Sequence, residues 1–167
     1  MLTGLDYKFI ISNIQQGDAI MGLFSRKKEV TTNVKNELNK LIGHLDISIN
    51  KLNTTDSIST YFNAFEDMLM TYKKLKYLED NYDWKHGKYK WDGNVNSALK
   101  GIEANRPQAE INFVNRAYER LQRECLKLST EKSKDNKREK FFTEFEHYYQ
   151  YLEDSTIQYI QKLKDGQ

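Results

Sequence analysis

The chain has 167 residues, of which 30% are charged and 13% aromatic, yet its net charge is only +2. That length suits one domain with a real core, and the aromatic content offsets the sparse aliphatics, which argues against a disordered chain. The near-balance of charge excludes a global basic footprint for nucleic acid, and the single cysteine, Cys125, excludes an internal disulfide and a Cys-based zinc cluster and fits a reducing, cytoplasmic compartment.

One proline and few glycines favour helices over an all-β design. No run reaches the length of a membrane span. Abundant Lys, Asn, Ile and Tyr are what AT-rich codons produce, which points to a bacterial or phage gene.

Residues 1–20 carry Phe9-Ile10-Ile11 but no basic n-region and no small-residue cleavage site, so they make a poor signal peptide. A second candidate start, Met21-Gly22-Leu23-Phe24-Ser25-Arg26-Lys27-Lys28, follows directly. Gln15-Gln16-Gly17-Asp18 just before it can be encoded by a good ribosome-binding sequence. The expectation is therefore that residues 1–20 are an extension, that 21–31 form a flexible basic N-terminus, and that 32–165 form the domain. The myristoylation pattern fails at Arg26.

From about residue 32 to 52, Val34, Leu38, Leu41, Ile42, Leu45, Ile49 and Leu52 recur at helical spacing. Asn53-Thr54-Thr55-Asp56 breaks that helix and supplies the next N-cap. A second helix over about 57–78 presents Ile58, Phe62, Phe65, Leu69, Tyr72 and Leu75, with Tyr61 and Met68 widening the stripe, and the short loop sets the pair antiparallel.

The stretch Tyr82-Asp83-Trp84-Lys85-His86-Gly87-Lys88-Tyr89-Lys90-Trp91-Asp92-Gly93 holds both tryptophans. Read as a hairpin turning at His86-Gly87, it pairs Trp84 with Tyr89 and Tyr82 with Trp91 on one face, with Asp83 opposite Lys90 on the other. Read instead as an irregular connection, its aromatics cap the core.

Val95, Ala98, Leu99 and Ile102 then give a short helix ending before Pro107, which disfavours helical geometry at Arg106. A new helix begins at Pro107 and presents Ile111, Val114, Tyr118, Leu121, Cys125 and Leu128. Residues 129–137 contain no apolar side chain and read as a solvated turn. Over 138–153, Phe141, Phe142, Phe145, Tyr148, Tyr149 and Leu152 make a wide aromatic face, suited to more than one neighbour. Asp154-Ser155 caps a last helix bearing Ile157, Ile160 and Leu163.

The residues Phe62, Phe65-Glu66, Leu69, Asn115-Arg116, Leu128-Ser129-Thr130-Glu131-Lys132-Ser133-Lys134, Phe141-Phe142, Tyr148 and Tyr159-Ile160 together resemble a group of small uncharacterised bacterial proteins. Those begin with a Gly-Leu-Phe-Lys-type tip and carry a Leu-Lys-Thr-x-Lys-Gly-Lys-like turn before a Phe-Phe helix. The resemblance covers most of residues 55–163, with Ser133 where the group has Gly and with the Trp-rich stretch as an insertion. It implies a helical fold and no particular chemistry.

Catalytic candidates are few. Glu144 and His147 have the Glu-x-x-His spacing of di-iron bundles, but the second copy such a centre needs is missing, and the pair points away from the Phe face. Cys125 has basic neighbours in sequence yet falls in the middle of an apolar stripe, where it reads as a small buried hydrophobe. Ser129-Thr130-Glu131-Lys132 matches the Ser-x-x-Lys of penicillin-recognising enzymes without their other elements. No Gly-rich phosphate loop occurs.

Two basic clusters remain: Lys85, Lys88 and Lys90 among aromatics, and Lys132, Lys134, Lys137, Arg138 and Lys140. Mixed aromatic and basic residues are what single-stranded nucleic acid binding uses. An intervening helix of about 1.5 Å rise per residue sets the two clusters at opposite ends of the molecule.

The sequence thus predicts an all-α bundle of five or six mostly antiparallel helices with a small β-hairpin at about 82–91. Its expected function is non-enzymatic and cofactor-free: binding an unknown protein partner through Tyr82, Trp84, Lys88, Tyr89, Lys90 and Trp91. Weak single-stranded nucleic-acid binding is the first alternative, and a metal-dependent enzyme using Glu144 and His147 the second. The aromatic second and penultimate helices could also supply the seam of a homodimer.

Overall fold

The computed structural model describes residues 7–16 and 26–166, and these form an all-α bundle of six helices. They are α1 (Tyr7–Gln16), α2 (Thr32–Thr54), α3 (Ile58–Asn81), α4 (Val95–Cys125), α5 (Glu131–Glu146) and α6 (Asp154–Lys164). Two-residue strands β1 (Lys28–Glu29) and β2 (Tyr82–Asp83) pair in parallel, Lys28 opposite Tyr82 and Glu29 opposite Asp83. Among the described residues no helix is long and apolar enough to cross a membrane.

Side-chain caps start four of the helices. Thr31, Ser57, Asn94 and Thr130 each accept the backbone N–H three residues on, at the heads of α2, α3, α4 and α5. Each such cap contributes on the order of 1 kcal/mol. α2 and α3 pack along their length as an antiparallel pair, with Leu38 and Leu41 of α2 buried against the apolar side of α3.

Arg116 of α4 locks the turn between them. Its Nε donates to Thr55 O at 3.0 Å and an Nη to Leu52 O at 2.8 Å, satisfying carbonyls that the end of α2 leaves over. Arg120 reaches Asp56 in the same turn.

The centre of the core is aromatic. Phe62, Phe113 and Phe145 are fully buried, one each from α3, α4 and α5. Tyr61 stacks on Phe113 at 3.9 Å, Phe62 stacks on Tyr148 at 4.1 Å, and Phe145 lies 5.8 Å from Phe113. The aromatic face around α5 therefore touches both α4 and α3, and Phe141, Phe142 and Phe145 are all buried within the chain. That leaves little of this face for a dimer seam.

Three local expectations are corrected. Helix α4 runs through Pro107 without ending, as one helix of 31 residues. The missing proline N–H deprives only the carbonyl of Glu103, an exposed residue whose carbonyl water can serve. Residues 131–137 are helical, not a turn. The Thr130 cap, Glu131 in the first turn and the i,i+3 pairs Glu131–Lys134 and Asp135–Arg138 support a helical start with no apolar side chain. At the other end α5 stops at Glu146, and Tyr149–Tyr151 form a 3₁₀ turn leading to α6, whose N-cap position is Glu153.

The hairpin at 82–91 does not form. The backbone of β2 is taken by β1, and only one backbone–backbone bond crosses the stretch, from Trp91 N–H to Trp84 O at 3.3 Å. Trp84 thus faces Trp91, not Tyr89.

The first two parts of the N-terminal expectation fall partly on undescribed residues: 1–6 and 17–25 lie outside the described set. Within it, α1 packs on α3 and α4 with Ile11 and Ile14 buried, and Val30, just before α2, is buried too.

Candidate functional site

The stretch 82–93 is a compact loop, and the residue that shapes it is Asp83. Its Oδ1 accepts the backbone N–H groups of Lys85 and His86, each at 3.1 Å, and its carboxylate also meets His86 Nδ1 at 3.1–3.2 Å. These bonds, the His86 amide foremost, hold the Asp83 carboxyl below its ordinary value. Asp83 therefore caps the loop from within and does not face Lys90. Gly87 takes φ +130°, which suits glycine, and it reverses the chain.

Trp84 anchors the loop. It is 5% exposed, and its indole Nε1–H donates to Leu78 O at 2.8 Å, a carbonyl at the end of α3 that also accepts the Tyr82 N–H. Trp91 meets it edge to face at 5.7 Å and is half-buried. Gly93 permits this: a Cβ there would come within 2.2 Å of the Trp91 ring.

Tyr89 is half-buried and shares a 2.9 Å hydrogen bond with Thr32 at the head of α2, which lowers its pKa. Tyr82 is half-buried in β2. The four aromatics are thus turned toward the helices, as in the irregular-connection reading. Trp84 is core, and it meets the surface as part of a cavity lining.

What the loop exposes is basic. Lys85, Lys88 and Lys90 are exposed, and among the described residues none makes an ion pair with a carboxylate. Lys88 Nζ lies 5.2 Å from the Tyr89 ring centroid. Beside the tip is a cavity of about 380 Å³ lined by Tyr82, Trp84 and Trp91 with Lys27, Lys85 and His86, and by Glu79 and Asp83, whose carboxylates are engaged by the Val95 amide and by the Lys85 and His86 amides. Its walls are fixed from beneath, since Lys27 donates to Glu79 O and Glu79 accepts the Val95 N–H at the head of α4.

The second basic cluster differs. Lys134, Lys137 and Arg138 are paired with Glu131, Glu124 and Asp135 at 2.6, 2.6 and 2.9 Å. Most of its charge is already matched. The two clusters lie at opposite ends of α4, as its length requires.

Glu144 is half-buried and His147 is exposed at the C-cap of α5. No group of three or more His, Cys, Asp and Glu placed to hold a metal occurs among the described residues. Cys125 is buried on the core side of α4.

One polar cluster was not anticipated. Arg106 and Glu110, 5% and 2% exposed, pair at 2.8 Å inside α4. Arg106 also donates to Tyr151 O and meets Glu153 at 3.3 Å, while its guanidinium lies 5.4 Å from the Phe65 ring centroid. The second oxygen of Glu110 accepts from Thr156 Oγ1 at 2.7 Å and from the Glu153 N–H at 3.0 Å. The network ties the 3₁₀ turn and the head of α6 to the middle of α4. The signal for it was an Arg and a Glu at i,i+4, legible only if the helix runs through Pro107.

Comparison of the chain with protein-family models, with curated proteins and with solved structures finds no match.

Proposed function

We propose that the protein is a non-enzymatic interaction module of the bacterial or phage cytoplasm, and that it docks an acidic segment of a partner protein on the 82–93 loop. The supporting observation is three exposed lysines without carboxylate partners, set on a rigid base beside an aromatic-lined cavity. The lysines would draw the acidic residues, and the cavity between Tyr82 and Trp91 would take one apolar anchor. Trp84 serves as the floor. The compartment and source rest on composition and on the free, buried Cys125.

A peptide of glutamates flanking one phenylalanine tests this, read by the fluorescence of Trp84 and Trp91. Weak, saturable binding is expected, lost in the triple variant K85E/K88E/K90E at an unchanged melting temperature. The variant K132E/K140E, at the other basic cluster, should bind as the parent does. Tighter binding of oligo-dT, falling steeply with salt, would replace this reading with the nucleic-acid one. Equal binding by the parent and the triple variant would end it.

A further inference from the structure

A second cavity lies on another face of the molecule, between α2, α3 and α4. It holds about 410 Å³, within the roughly 300–1,000 Å³ usual for small-molecule sites. Phe65 and Met68 of α3 line it along with Ile49 and Leu52 of α2. On the α4 side Ala98, Gly101 and Ala109 recur at helical spacing, and small side chains there keep the space open. A Cβ built on Gly101 would meet nothing within 4 Å.

The stripe of small residues alone would say little. Two polar groups at one end of the cavity say more. Tyr61 lines it while only 4% exposed, and its hydroxyl makes no hydrogen bond among the described residues. The hydroxyl is thus left with a free donor at the cavity wall. Burial, with the nearby Glu110, raises its pKa, so it stands as a neutral O–H donor.

Arg116 lines the same end. It uses Nε and one Nη on the Leu52 and Thr55 carbonyls, and among the described residues it has no carboxylate within ion-pair distance. Arg106, also in the lining, is already committed to Glu110 and Glu153. A largely apolar trough, with the exposed Asn53, Asn105 and Asn112 also in its lining, therefore ends in one cation lacking a counter-ion and one unused donor.

We infer that this cavity binds a monocarboxylate with an apolar body, its carboxylate accepting from the Tyr61 hydroxyl and the free side of Arg116 and its body lying between α2 and α4. A single Arg and a phenol match one carboxylate; a phosphate dianion would call for more positive charge. The body is aliphatic, as in a fatty acid, or aryl, as in a phenylalkanoate.

Calorimetric titration of the whole chain with decanoate below its micelle concentration, with 3-phenylpropionate and with decanol tests the assignment. At least one carboxylate should bind, and whichever binds more tightly identifies the body. Decanol should bind at least about tenfold more weakly than decanoate, because a hydrogen bond to a charged group is lost.

Tyr61→Phe removes only a hydroxyl that bonds to no other described residue, so it should weaken carboxylate binding about tenfold without lowering the melting temperature. Gly101→Leu fills the trough and replaces a helix-weakening glycine, so it should abolish binding with equal or higher stability. Decanol binding as well as decanoate would overturn the proposal. So would carboxylate affinity unchanged in both variants, or no binding of either carboxylate.

Discussion

Glu110 is the side chain on which most converges: it receives Arg106, the Thr156 hydroxyl and the Glu153 amide in a space closed to water. A buried ion pair adds little net stability over apolar residues of the same shape, but breaking one leaves an uncompensated charge. Glu110→Leu should therefore cost about 3–5 kcal/mol, read as a lower midpoint in urea unfolding. Adding Arg106→Met should recover part of that loss, although Thr156 and Tyr151 stay without their partners. A double variant less stable than Glu110→Leu alone would show that Glu153 suffices to hold Arg106. The pair was invisible in the sequence for a definite reason: with a helix boundary placed at Pro107, Arg106 and Glu110 fell in different elements. Tyr61 was hidden differently, since a tyrosine on an apolar stripe reads the same whether or not its hydroxyl finds a partner.

At the scale of elements, apolar spacing located α2, α3 and α6 well, because each buries one stripe and each starts at or next to a marked capping position. Patterning misled where polar chemistry decides. The head of α5 carries no apolar stripe and is held by its cap and ion pairs. The 82–93 loop offered alternating aromatics, yet one carboxylate and one indole set its path.

Asp83 makes that loop sensitive to acid, and the sign follows from its lowered pKa. The folded loop favours the ionised carboxylate, so its contribution is complete above the ordinary aspartate value and fades as pH falls through the lower folded value. Acidification should release the Lys85 and His86 amides before the helices unfold. Amide exchange or chemical shifts at these two positions, followed from neutral pH downward, would register it, and Asp83→Ala should show the released state already at neutral pH. Amides in that variant as protected as in the parent would rule out the carboxylate as the loop's clasp.

Across the whole molecule, a chain with few aliphatics builds its centre from Phe62, Phe113 and Phe145 and closes the periphery with smaller aliphatics from every helix but α5, which buries only phenylalanines. α1 belongs to that periphery, with Ile11 and Ile14 each 4% exposed in the common core and its contacts falling on α3 and α4. Periodicity gave no reason to join residues 7–16 to the domain, because a ten-residue helix is marginal alone and gains its stability by docking. A chain starting at Met21 would lose both isoleucines and uncover the apolar surface beneath them. Truncating a buried isoleucine to alanine costs roughly 2–5 kcal/mol, so Ile11→Ala and Ile14→Ala should each lower the urea midpoint. The chain starting at Met21 should fall below either single variant. It should also unfold with a smaller slope against urea, since its folded form already exposes surface that the longer chain buries. Equal midpoints and slopes for the two lengths would mean that α1 adds nothing to the domain, whichever methionine begins translation.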